Sequence, residues 1–77
     1  MKYTVCISDF APAAHPLARV RRVHGLSLAQ AWRVSERASR RGVKLYGGSI
    51  HHDNWGARGG VFPGAYRAAT ICPDMGA

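Results

Sequence analysis

The stretch "LSLAQAWRVSERASRRG", Leu26 to Gly42, constrains this 77-residue chain more than any other. Ser27 can cap a helix and Gln30 stands three residues on, the spacing of a capping box in which each side chain satisfies the other residue's backbone N–H. Leu28, Ala31, Trp32, Ser35 and Ala38 follow the i, i+3, i+4, i+7 spacing of a buried stripe. Arg40 and Arg41 fall in the last turn, where the helix dipole favours cations, and Gly42 offers a C-terminal stop. The pattern predicts one helix over Leu28–Arg41. A chain this short holds a single core, so residues 1–77 are expected to form one domain around that helix.

Around it the apolar period changes to two. In "KYTVCISDF", Tyr3, Val5 and Ile7 alternate with Thr4, Cys6 and Ser8, as in a half-buried strand. "APAAHP" reads as a loop, and "LARVRRVHG" as a second strand whose interleaved arginines suit a sheet edge. "VKLYGGSIHH" reads as a third strand softened by Gly47 and Gly48, "DNWGARGG" as a loop, and Ala65–Ile71 as a fourth strand after a Pro63-Gly64 turn. The tail "CPDMGA" is expected to fray. The resulting order, β-β-α-β-β, is an α+β fold with a small antiparallel sheet of about four strands and one helix packed on one face. Large apolar residues for its core are few: Tyr3, Val5, Ile7, Val20, Leu28, Trp32, Leu45, Ile50, Phe62 and Ile71.

Charge narrows the partner. Eleven Lys and Arg oppose four Asp and Glu, a formal net charge of +7. Arginine dominates, and its planar guanidinium is suited to bidentate and stacked contacts. Such a field points to an anionic partner: nucleic acid, an acidic protein surface or a membrane surface; an arginine-rich genome is the alternative source of the bias. Between Arg19 and Lys44 stand eight cations and one acid, Glu36. Arg33, Arg37 and Arg40 occupy i, i+4 and i+7 of the helix, and like charges at that spacing cost a few tenths of a kcal/mol per pair. The stripe therefore reads either as a partner surface or as a solvated face. Arg19, Arg21 and Arg22 form a second cluster on the preceding strand, and whether the two clusters merge is open.

The segment "GGSIHHDNWGARGG" is the richest in chemically versatile side chains. Adjacent histidines on a strand point to opposite faces, so His51 and His52 are poorly placed to share a metal ion. Cys6 and Cys72 stand far apart in sequence, and His15 and His24 lack ligand spacing. An HNH-type nuclease would need a further ligand on a following helix, where this chain reads as strand. The acids Asp9, Glu36, Asp53 and Asp74 are scattered, with Glu36 spaced to pair with Arg40. No enzyme, cofactor or metal is expected. Trp55 and Arg58 then read either as contact anchors or, for Trp55, as a lid on a thin core. With no apolar run after Met1-Lys2, a cytoplasmic protein with reduced thiols is expected, without a membrane partner; a Cys6–Cys72 bond stays open if the end strands are neighbours.

The strand "MKYTVCISDF", the helix "LSLAQAWRVSERASRRG" and the strand "VKLYGGSI" together resemble the small phage-encoded anti-CRISPR proteins that inhibit type I systems, type I-C among them. The resemblance implies a monomer in the host bacterial cytoplasm. It implies binding to the Cascade surveillance complex, blocking of target DNA, and possible contact with crRNA or that DNA. At +7 the chain departs from acidic inhibitors that mimic DNA. Its binding surface is expected on Arg19, Arg21, Arg22, Arg33, Arg37, Arg40, Arg41, Trp55 and Arg58. The alternative is a small basic DNA- or RNA-binding module using the same arginines on phosphates. A toxin–antitoxin or phage structural accessory is a third reading.

Overall fold

The computed structural model describes residues 1–10 and 20–74. Five strands and one helix follow in the order β1 (Tyr3–Phe10), β2 (Val20–Leu26), α1 (Leu28–Tyr46), β3 (Ser49–Asp53), β4 (Gly56–Val61) and β5 (Ala65–Pro73). All pairings are antiparallel, in the sheet order β2-β1-β5-β4-β3. The first and last strands pair at the centre, and α1 carries the chain from one sheet edge to the other across a single face. The class is α+β, with one helix on an antiparallel sheet.

Four expectations change. The tail expected to fray is ordered in part: Cys72 and Pro73 extend β5 beyond Ile71, and Asp74 N–H donates to the Lys2 carbonyl at 2.9 Å. The sheet has five strands, because "GARGGV" is β4 and not loop; Asp53 pairs with Gly56, leaving a two-residue turn at Asn54 and Trp55. The helix does not stop at Arg41. It runs through Gly42 to Tyr46, taking Val43–Tyr46 out of the third strand, and ends at Gly47, whose φ of 79° suits glycine. The buried stripe is also smaller than expected. Ala31, Ser35, Ala38, Ser39 and Gly42 face the sheet, Trp32 is half-buried, and Leu28 at the first turn is 48% exposed. The capping box forms as expected, Gln30 N–H donating to Ser27 Oγ and Ser27 N–H to Gln30 Oε1. The edge position of β2 and the Pro63-Gly64 turn also agree with the sequence. The "APAAHP" loop with His15, residues 17–19, the Val20 side chain and residues 75–77 lie outside the described residues.

The small stripe brings two backbones together. A Cβ on Gly59 of β4 would stand 1.7 Å from the Ser39 carbonyl oxygen, and one on Gly42 would stand 2.3 Å from the Gly59 oxygen and 2.7 Å from Arg67 Cβ. A helix-interior glycine is about 1 kcal/mol worse than alanine. Gly42 is the better residue here because no side-chain atom fits. The buried hydroxyls of Ser35 and Ser39 donate to the carbonyls of Trp32 (3.0 Å) and Glu36 (2.9 Å), so neither is left unpaired beneath the helix. The core is Val5, Ile7, Ala31, Ala38, Ala69 and Ile71, with Tyr3, Val23, Leu26, Trp32 and Val34 around it. Leu45 at 62% and Phe62 at 47% exposure lie outside it.

A polar clasp closes the end of the sheet where β1 begins. Thr4 Oγ1 donates to Asp74 Oδ1 and meets His24 Nδ1 at 3.0 Å, while Gly25 N–H donates to Asp74 Oδ2 at 3.3 Å. The Thr4 hydroxyl is the main reason the Asp74 carboxyl titrates below the usual carboxylate range. Desolvation opposes the shift, while the Gly25 N–H and the His24 charge add to it. Cys6 and Cys72 do lie on neighbouring strands, but Cys6 is opposite Thr70 and Cys72 opposite Thr4, and both thiols are free.

Two outcomes follow. In urea titrations Gly59→Ala should lose stability at or above the upper end of the about 1–3 kcal/mol typical of overpacking, since the obstacle is backbone. Gly42→Ala should also lose stability although it raises helix propensity; a gain would show that α1 can lift off the sheet freely. The Asp74 clasp acts at acid pH. Because its folded pKa lies below the unfolded one, its contribution is complete above the ordinary carboxylate value of about 4 and disappears as pH falls through the depressed value. Melting temperatures of wild type and Asp74→Asn should therefore differ at about pH 6 and converge as pH falls below the depressed value.

Candidate anion-binding surface

Arginine placement follows from strand alternation and helix period. On β2, Arg21 lies opposite Ile7 and faces the helix layer, whereas Arg22 lies opposite Cys6 on the other face of the sheet. On α1, Arg33, Arg37, Arg40, Arg41 and Lys44 point away from the small stripe. Where the β2 edge passes the helix, Arg21 meets Arg37 and Arg41 across a cleft of about 350 Å³. Ile7, Val34 and Ala38 line its apolar part. A second groove of about 400 Å³ runs along α1 between Arg33, Glu36, Arg37, Arg40, Arg41 and Lys44. Arg37 and Arg41 line both, so the surface is continuous. Of the strand cluster Arg19, Arg21 and Arg22, whose merging with the helix stripe the sequence leaves open, Arg21 alone among the described residues joins the helix surface.

The acids are already engaged. Arg67 Nε and Nη2 donate to Asp9 Oδ1 and Oδ2 at 2.6 and 3.1 Å, a bidentate bond between directly opposed residues of β1 and β5. Both side chains are less than a fifth exposed. The Asp9 bond is the main reason the Arg67 guanidinium holds its proton even more firmly than usual, against the opposing effect of burial. The Tyr46 hydroxyl titrates above its ordinary range, through desolvation first and the Asp9 charge second. Glu36 lies 4.0 Å from Arg40 and 3.7 Å from His52. Among the described residues, Arg21, Arg33, Arg37, Arg41 and Lys44 have no carboxylate within ion-pair distance.

The remaining expected site residues lie elsewhere. Arg19 is outside the described residues. Arg22 and Arg58 are on the sheet face opposite α1, where Arg58 sits 5.3 Å over the Phe62 ring and 3.9 Å from Asp53. Beside them Tyr66 stacks on Phe10 at 4.9 Å and meets Phe62 edge-on at 4.8 Å. Trp55, 63% exposed in the β3–β4 turn with its backbone N–H donating to Asp53 Oδ1, is not a lid. His51 and His52 point to opposite faces, as their adjacency predicts: His52 approaches Glu36 beside the helix, and His51 stands 3.4 Å from Ser49 Oγ. Among the described residues no three His, Cys, Asp or Glu converge as metal ligands, and no helix is long and apolar enough to cross a membrane. The Asp9–Arg67 pair was missed in the sequence because its partners are 58 positions apart. Comparison with protein-family models, curated proteins and solved structures finds no match for the chain.

Asp9 couples stability to binding with opposite signs. Asp9→Asn should cost between the roughly 1 kcal/mol of an exposed pair and the about 3–5 kcal/mol of a fully buried one, since Arg67 loses its partner. The same change removes the only carboxylate of the cleft and should tighten anion binding. Chemical denaturation and a polyphosphate titration of one protein sample measure both. A tighter fold or weaker binding would contradict the geometry.

Proposed function

We propose that the chain is a nucleic-acid-directed binding protein that acts by occupying its target and not by catalysis. The observation that carries this reading is the continuous α1–β2 surface, where five cations have no carboxylate partner among the described residues. Converging guanidiniums repel one another, so the fold gains nothing from the arrangement. A phosphate backbone reverses that sign, because each phosphate neutralised by an arginine also releases condensed counterions.

A second reading places that nucleic acid within a nucleoprotein. The sheet face opposite α1 presents Phe10 and Phe62 at 41% and 47% exposure, and Trp55, 63% exposed, stands in the turn at the other end of β4. Bare phosphate backbone has no use for such apolar area, whereas a protein surface does. The type I surveillance complex suggested by the sequence resemblance offers both, crRNA and target DNA beside Cascade protein. On this reading the protein is an anti-CRISPR inhibitor that holds target DNA off the complex.

Gel-shift titrations with duplex and single strands, with and without purified Cascade, test both. Wild-type affinity should fall steeply with salt, and Arg37→Glu with Arg41→Glu should lower the salt slope by about two while the protein stays folded. Retained binding and an unchanged slope in that variant would overturn the assignment of the surface. Binding that needs Cascade selects the inhibitor reading, and binding to bare strands selects the simple module.

A further inference from the structure

The cleft and the groove differ in kind. The groove along α1 is a row of cations on a convex helix, suited to a backbone running past. The cleft between α1 and β2 instead gathers Arg21, Arg37 and Arg41 from two elements around one concave space. Its volume, about 350 Å³, lies at the small end of the about 300–1,000 Å³ range of small-molecule sites. Three of its eight lining residues are apolar: Ile7 and Ala38 belong to the buried core and Val34 packs against it. The only carboxylate in the lining, Asp9, is already held by both arms of Arg67. Positive charge at the rim is therefore uncompensated, while the interior favours a flat or carbon-rich group.

Together these features match one ligand chemistry. A phosphodiester spreads a single charge per nucleotide along a chain, whereas a phosphomonoester gathers about −1.5 to −2 at neutral pH on three acceptor oxygens. Three guanidiniums lining one small cleft suit the second, through charge-assisted and bidentate bonds. The apolar lining can pack a sugar or base edge joined to that phosphate. We infer that the cleft is a site for a nucleoside phosphomonoester, with the phosphate on Arg21, Arg37 and Arg41 and the nucleoside against Ile7, Val34 and Ala38. The inference deepens the nucleic-acid reading above and rests on it for the strand that continues along the groove. Two sources share the chemistry, a phosphorylated strand end and a free mononucleotide.

Fluorescence anisotropy with a short single strand, carrying in turn a 5′-hydroxyl, a 5′-phosphate or a 3′-phosphate, separates them. Nucleoside monophosphate and inorganic phosphate serve as competitors. A phosphorylated end should bind about tenfold or more tighter than the hydroxyl end. Arg21→Gln with Arg41→Gln should erase that preference; both residues also belong to the wider surface, so affinity for the hydroxyl-ended strand falls as well, and the ratio of the phosphorylated-end to hydroxyl-end affinities, falling to about one, is the readout. Circular dichroism confirms folding, and Arg37→Gln alone gives a second reading of the same site. Competition by the mononucleotide at similar affinity assigns the free nucleotide as ligand, and its failure assigns the strand end. Strand binding without any end preference, and without mononucleotide binding, overturns the cleft assignment but leaves the wider function intact. Mononucleotide binding lost in the Arg21/Arg41 variant, with no strand bound by the wild type, sustains the cleft and overturns the wider function. Inorganic phosphate competing as well as the mononucleotide would remove the nucleoside from the site and overturn the inference as stated.

Discussion

The meeting of two backbones, Ser39 and Gly42 of the helix against Gly59 of the fourth strand, is the constraint on which the other features depend. With few large apolar side chains, the chain cannot fill a wide gap between its layers. It closes the gap instead. Alanine, serine and glycine along one side of α1 let the helix settle on a strand made largely of glycine and alanine, and the dispersion energy of close packing replaces the burial of bulky residues. Serine is tolerated in this seam because each hydroxyl bonds back to its own helix, so no polar atom enters the contact unpaired.

Close seating also fixes where the charges go. A helix lying this low can turn only its far side to solvent, and the five cations of α1 occupy that side. Its long axis crosses from β2 to β3, and this crossing brings Arg37 and Arg41 past the inward-facing Arg21. Pairwise repulsion on an exposed helix is worth a few tenths of a kcal/mol, small against a total stability of about 5–15 kcal/mol. The fold can carry the cluster without failing, yet it gains nothing by doing so. Pairing Asp9 with Arg67 on the central strands then engages the carboxylate of the cleft that could have neutralised it.

What was legible in the sequence was local. The capping box set the helix start because both of its hydrogen bonds lie within four residues, and the alternation of Tyr3, Val5 and Ile7 set the first strand. Adjacent histidines could be assigned to opposite faces from strand geometry alone. The helix end was misread at Gly42 because glycine as a stop and glycine as a close-packing residue look the same until Gly59 is in place. β4 was hidden for a related reason: "GARGG" carries no alternation of side chains, since its role is to offer bare backbone to the helix. The cationic surface was half legible. The helix period gave the stripe of Arg33, Arg37 and Arg40, but the junction through Arg21 depends on the crossing of the sheet, which no local pattern encodes.

The two arginines that alternate away from the helix complete the electrostatic logic. Arg22 and Arg58 stand on the opposite sheet face, and Arg58 is partly neutralised by Asp53 and rests over an aromatic ring. The two faces therefore differ in character. One is cationic, concave beside its edge strand and poor in exposed aromatic groups; the other is aromatic and only weakly charged. A strand of nucleic acid gains from the first through its phosphates, with a range set by the Debye length of about 8 Å in physiological salt. Protein gains from the second through short-range apolar contact. A molecule this thin, about 16 Å in its shortest dimension, sets these surfaces back to back, so the proposed pairing of nucleic acid on one face with protein on the other would require no part of the fold to move.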